Sequence, residues 1–564
     1  MARAAEAQRS LAADIEHPGA LPGRRRAAAG RRIFLVAGAL AAFAGAVALL
    51  ALASAHGNAA DSDAATALLE GQAMAHGHLI LHGWRLASDP FWSIDDLFYL
   101  VASVVVGVRP VALYLVPAVI AALVVATGIL IAAEGRSRAG GMAGAVTVVA
   151  LLAFPTYMAD RFFVKGPFHI GTALFALAAF FLLRDGRFGW RWALAVLLLA
   201  AGLIGDLMMV AYGVVPALLG GAGAAARRRS WRAAATTSGA AAAAVALAAA
   251  GHAALSAAGG FVVGKTGRLP HLHQMVHNLG RMLVLCSELL GATWRDFGTG
   301  GVPDALAWVR VVPAVLVAAC TLLSLVMLVS QAALGRNRGR RVEGWHLDDL
   351  LAIATFGPLV TYVVLSLNGS AQWARYLTAS VIFASVLTGR RVAAAWERLD
   401  GKRPAPFLAA AGLGVTSCVA AGTFLTLQRP SPSLPETALA RFLVARHFTL
   451  GAGDFWIASV TTVASGGQVR VRPVEASPGA RFIERPPAQT AASWYGPHQP
   501  FQFLAYEWTK PWGRHAREAA VKSWGLPSRT YYVGPYAVVT WARPVELPAD
   551  RIAGVTKWSP ELRR

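Results

Sequence analysis

Asp61-Ser62-Asp63 sets two carboxylates two residues apart, just after the first long apolar run of the chain. At that place they lie level with a lipid head group. One of them could take a proton from an acceptor hydroxyl as a general base. Both could instead hold a divalent cation (Mg, Mn or Ca) that neutralises a phosphate. Asp is also a favoured N-cap, and a helix over 64–81 would begin right after it. Asp95-Asp96, following Phe91-Trp92-Ser93, is a second acidic pair. It is open to a secondary or acceptor-side role, or to ordinary capping beside an aromatic belt.

Cations follow at similar depth. Residues 156–169 read TYMADRFFVKGPFH and bring Asp160, Arg161, Lys165 and His169 between two apolar runs. A departing phosphate needs such charges, although cationic side chains at helix ends also snorkel. Trp373-Ala374-Arg375-Tyr376 opens a late apolar run. An Arg there can grip a phosphate in bidentate fashion, or anchor the interface with its aromatic neighbours. Lys265, Arg268, His271 and His273 form a further basic set, either a groove lining or a solvated face. Asp206 reads as a turn residue. Cys286, Cys320 and Cys418 show no zinc-ligand spacing and no disulfide framework.

These residues must be held by membrane helices. Of 564 residues, 56% are hydrophobic and 15% charged, against roughly 25% charged in soluble domains. Apolar runs approach the ~20 residues that cross a bilayer. Eleven spans are expected near 33–54, 109–133, 141–156, 169–184, 191–204, 207–222, 233–256, 308–334, 349–366, 376–389 and 406–426. The net charge of +22 comes from arginines gathered between these runs, as at Arg24 to Arg26, Arg227 to Arg229, Arg336 to Arg341 and Arg390-Arg391. That is positive-inside patterning and not a nucleic-acid face. It assigns residues 1–32 to a cytoplasmic tail, with the first apolar run retained as a helix. Residues 33–427 form the membrane domain, with outer loops 55–108 and 257–307. In loop 55–108, the helix over 64–81 reads as amphipathic and interfacial, and 95–107 as an apolar segment at the bilayer edge. Pro-Ser-Pro-Ser-Leu-Pro at 430–435 is a linker. Residues 428–564 then form a small extracytoplasmic α/β or mainly β domain. A short helix is expected over 435–448, and strands over 469–474 and 530–540.

The order of one span, an acidic pair and a long outer loop resembles the GT-C superfamily over roughly residues 33–390. The string DSDAATALLEGQAMAHGHLILHGWRLASDPFWSIDDLFYLV is similar to the first loop of protein mannosyltransferases, aminoarabinose transferases and galacturonosyl transferases. His169 and Arg375-Tyr376 match that subgroup's second-loop His and late Arg-Tyr. The resemblance implies an all-α polytopic membrane glycosyltransferase with a periplasmic C-terminal domain. The donor would be a polyprenyl-phosphate sugar. The acceptor would be an envelope lipid, glycan or protein on the outer face of a bacterial inner membrane. Transfer would invert the anomeric centre, with Asp61 or Asp63 as base and Arg161, Lys165 or Arg375 on the phosphate. The second loop offers Asp160, but no glutamate, for a second acidic role. No cofactor is required on this reading, and a divalent cation stays open. The rivals are a transporter or flippase and a non-catalytic scaffold of envelope polysaccharide assembly. Mid-span acids and repeated halves would mark a transporter, and the sequence has neither.

Overall fold

A computed structural model describes residues 22–57, 61–153, 162–228, 231–263, 272–290, 304–334, 345–364, 371–399, 434–477, 481–495 and 499–552, together with 417, 428 and 479. The chain divides into two units, residues 1–49 and 50–564. The first holds most of helix α1, Pro22–Gly57.

In the second unit, helices α2 (Ser62–Ala75) and α3 (Asp95–Val105) belong to the long loop 55–108. Apolar helices follow: α4 (Pro110–Ala133), α5 (Arg138–Leu152), α6 (Ile170–Leu183), α7 (Trp190–Gly205), α8 (Val215–Arg228, led by a π-turn at Val210–Val214) and α9 (Trp231–Ala257). Then come α10 (Leu272–Leu289), α11 (Asp304–Leu334), α12 (Trp345–Val364) and α13 (Thr378–Leu399). Every expected span but the last coincides with a helix. The span at 406–426 lies outside the described residues. Among the described residues five helices are long and apolar enough to cross a membrane: Ala37–Gly57, Pro110–Ala133, Ala234–Ala257, Pro313–Ser330 and Leu347–Val364. The chain is a multi-pass membrane protein.

Local chemistry sets the helix starts. Pro110 opens α4 where no N–H is needed. The Ser137 hydroxyl accepts from Gly140 N at 3.2 Å and caps α5. Arg390 departs from expectation. It was assigned to a cytoplasmic loop, but α13 continues through it to Leu399. Its guanidinium is fully buried, pairs with Asp348 of α12 and donates to the Ile131 carbonyl at 2.6 Å. Pairing of this kind is what allows a buried charge to persist.

Loop 55–108 also differs. The helix expected over 64–81 as an interfacial amphipath ends at Ala75, and it is buried on nearly all sides from Ala64 to Gly71. It packs against α3 and against a helix of the C-terminal region, so protein and not lipid covers it. Helix α3 is the amphipathic one. Leu97, Val101, Val104 and Val105 are exposed along one stripe, and Asp95, Asp96, Tyr99 and Ala102 are buried on the other. The stripe suits the bilayer edge.

The C-terminal region is mixed α/β. Helices α14 (Pro435–Ala445), α15 (Phe455–Ala464) and α16 (Pro511–Trp524) pack on a five-stranded sheet of order β4-β3-β8-β10-β9. Its strands are β3 (Leu450–Gly453), β4 (Arg470–Pro473), β8 (Phe501–Glu507), β9 (Arg529–Val533) and β10 (Tyr536–Val545). Strand β3 runs parallel to β4 and β8, and β10 pairs antiparallel with β8 and β9. One core joins this region to loop 55–108: Leu69, Trp84 and Leu86 pack with Trp494, Phe501 and Leu504. A second, three-stranded sheet crosses the same boundary. In it β1 (Trp84–Leu86) lies between β2 (Val262–Val263) and β7 (Thr490–Ala491). Strands β5 (Glu475–Ala476) and β6 (Ile483–Glu484) pair as a separate antiparallel ribbon.

Candidate active site

Asp61 is the N-cap of α2, and its Oδ1 accepts from Ala64 N at 3.1 Å. The capping role is therefore real, but it uses only one oxygen. Oδ2 lies 2.9 Å from the Lys165 ammonium. Asp63, in the first turn of α2, accepts at Oδ1 from the Gln489 amide at 3.2 Å. Arg375 and Lys165 also act on it electrostatically. Four separate segments thus meet: the start of α2, the loop before α6, the 3₁₀ turn Ala371–Tyr376 and the loop before β7.

Asp63 has a carboxyl shifted toward neutrality. Burial, and then the Asp61 charge, push its pKa up from 3.8 to about 6, while Gln489, Arg375 and Lys165 pull the other way. A carboxyl in that range is ionised near neutrality yet basic enough to accept a proton. Arg375 is ringed by Phe168, Trp373 and Tyr376, with its guanidinium carbon 5.2–5.8 Å from the ring centroids. Its buried Nε has no hydrogen-bond partner among the described residues. An aromatic frame with an unsatisfied donor is prepared for an anion.

A second set flanks the first. His169, in a left-handed conformation before α6, is buried against Tyr376 at 4.8 Å and Phe91 at 5.3 Å. Its Nδ1 donates to Asp206 Oδ2 at 2.7 Å. Thr172 donates to the same oxygen, and Met208 N to Oδ1 at 2.8 Å. Asp206 is therefore the buried orienter of His169 as well as a turn residue. Asp89 stands within electrostatic reach of His169, Arg375 and Asp206. Burial and the Asp206 charge raise its pKa. Sequence reasoning missed Asp89; its one signal is an acid before Pro90 in the same long loop as Asp61.

Asp95 and Asp96 lie behind this layer, with Asp95 in electrostatic reach of His169. Each is at most 1% exposed. Asp95 is clamped by α6, where a Cβ on Gly171 would come 2.6 Å from its Oδ2. Asp96 faces Glu70 of α2. Burial dominates both: it carries Glu70 from 4.5 to about 8 and Asp96 well above its ordinary value, and it takes Asp95 to about 7. Asp160, Arg161, Lys265, Arg268 and His271 lie outside the described residues. His273 sits on α10.

A divalent cation fits poorly at Asp61 and Asp63. The Lys165 ammonium takes the place a cation would occupy beside Asp61, and Gln489 holds an oxygen of Asp63. Among the described residues no three His, Cys, Asp or Glu side chains are grouped to hold a metal.

No family model and no curated protein sequence matches the chain. Solved structures do. The Archaeoglobus fulgidus oligosaccharyltransferase in complex with Zn and sulfate is similar with a TM-score of 0.44 and 12% identity, over 85% of this chain and 70% of that one. ArnT from Cupriavidus metallidurans bound to undecaprenyl phosphate is similar with a TM-score of 0.42 and 11% identity, over 91% and 99%. Its apo form gives 0.41 and 11%, over 90% and 98%. These are likenesses of fold at low identity, extending over most of this chain.

Proposed function

We propose that this protein is a membrane glycosyltransferase that moves a sugar from a polyprenyl-phosphate donor to an acceptor hydroxyl at the outer face of a bacterial inner membrane. The observation that carries this reading is the pair Asp61 and Asp63 set beside Lys165 and Arg375, from three distant segments: Lys165 is ion-paired with Asp61, and both cations act electrostatically on Asp63. A base beside two cations is what a hydroxyl nucleophile and a departing lipid phosphate need.

Asp63 is the base rather than Asp61. Asp61 is committed to its helix and to Lys165, whereas Asp63 has the raised pKa. The Asp63 carboxylate takes the acceptor proton as the acceptor oxygen bonds to the anomeric carbon. The bond from that carbon to the phosphate oxygen breaks, and its electron pair leaves with the lipid phosphate. Arg375, then Lys165, neutralises that charge. Attack opposite the leaving group inverts the centre without a sugar-enzyme intermediate. The N-terminus is cytoplasmic on this reading, and the C-terminal region lies on the same side as the site.

Lipid and glycan profiling of a deletion strain tests the reading. A sugar should vanish from one envelope component while its polyprenyl-phosphate form accumulates. An unchanged envelope with no such build-up would contradict it.

A further inference from the structure

Gln489 lies 426 positions from Asp63, yet donates to its Oδ1 at 3.2 Å. Its backbone is left-handed, with φ of 56°, a conformation that a residue of this shape rarely holds unless its surroundings impose it. Those surroundings are built. Thr490 and Ala491 pair with Arg85 and Trp84 across β7 and β1, and Ala492 N donates to the Gly83 carbonyl at 3.0 Å. The Arg485 guanidinium ties both sides together: Nε donates to Thr490 Oγ1 at 2.8 Å, and Nη2 to the Thr490 carbonyl at 2.9 Å and the Gly83 carbonyl at 3.3 Å. Nearby, Ser62 Oγ donates to the Phe455 and Trp456 carbonyls, and Thr66 Oγ1 to Ser459 Oγ at 2.9 Å. The helix that carries Asp63 and the loop that carries Gln489 are thus fastened on both flanks.

We propose that Gln489 is a positioning residue for Asp63: its carboxamide fixes Oδ1, so that Oδ2 is the oxygen presented to the acceptor hydroxyl. The inference rests on the glycosyltransferase reading. The amide N–H, and not its oxygen, must face an ionised carboxylate. The other groups that face Asp63 are Asp61 on its own helix, Lys165 before α6 and Arg375 on the 3₁₀ turn, with Glu70 further along α2. Gln489 is the neutral donor among them. It orients the carboxylate without neutralising it, whereas a Lys or Arg in its place would lower its basicity. The C-terminal region therefore supplies a part of the site that the membrane helices lack.

The test uses the full chain in nanodiscs, comparing Gln489→Met with Gln489→Asn. Met keeps the length and removes the donor. Asn keeps an amide and tolerates the left-handed backbone. For Gln489→Met, kcat should fall roughly 10-fold or more, as expected for a lost hydrogen bond to a charged group. KM for the donor should stay within about twofold, the acid limb of the pH profile should move up, and the thermal midpoint should hold. Gln489→Asn should recover part of kcat. Carbodiimide labelling of Asp63 against pH, read by peptide mass spectrometry, needs no activity, and its midpoint should rise in Gln489→Met. Wild-type kcat, or a lower kcat with an unmoved labelling midpoint, overturns the proposal. A wild-type chain that transfers no sugar while the labelling midpoint still shifts would instead count against the glycosyltransferase reading alone.

Discussion

Loop 55–108 carries two acidic pairs that look alike in sequence and live in different surroundings. Asp61 and Asp63 meet Lys165, Arg375 and the Gln489 amide. Asp95 and Asp96 are sealed between α2, α3 and α6, with Glu70 as neighbour. The front pair can keep its charge and use it. In the back group burial favours the neutral acid, and mutual repulsion forbids full ionisation. Chemistry thus follows from which carboxylates have cations within reach, and proximity along the chain does not decide it.

The largest effect that would sharpen this contrast is expected at the front. Arg375→Ala should cut kcat/KM by roughly 10²–10³, the range for losing a donor to developing negative charge. Arg375→Lys should recover only part of it, because the planar fork is lost. Steady-state kinetics over a donor series checks both. Wild-type kinetics in Arg375→Ala would break the front half of the comparison.

Next comes pH. With Asp63 raised to about 6, kcat/KM should climb as pH passes about 6, since the ionised form is the base. Stability should run the opposite way because of Glu70. Its pKa goes from 4.5 to about 8 in the folded chain, so the folded state binds the proton more tightly. That contribution is complete below about 4.5 and lost as pH rises through about 8. Glu70→Gln should flatten the slope between those values and raise the thermal midpoint at pH 8 by a few degrees. A slope unchanged in Glu70→Gln would show that the back group is not held neutral.

The smallest effect expected is that of chelation. With Lys165 against Asp61, excess EDTA should leave the transfer rate within about twofold. A complete loss restored by Mg or Mn would replace the ammonium by a metal.

The helices were legible in the sequence because hydropathy alone marks them, and their order held from 33–54 to 376–389. Asp61, Lys165, His169 and Arg375 were legible because each lies at the end of an apolar run. Asp206 looked like a hairpin turn because nothing local announces its bond to His169, 37 positions earlier. Gln489 left no trace, since a lone neutral amide in a loop gains meaning only from the β1–β7 pairing that carries it to Asp63. The helix at 62–75 read as interfacial because its apolar stripe was visible, whereas the α15 surface that covers its polar side comes from some 390 residues on.

The most direct measurement restores a deletion strain with wild-type chain, Asp63→Asn or Asp96→Asn, at matched membrane abundance, and profiles the envelope sugars. The wild type and Asp96→Asn should bring back the missing sugar, and Asp63→Asn should not. Restoration by Asp63→Asn would contradict the assignment of the base and, with it, the division of the loop into a working pair and a buried one.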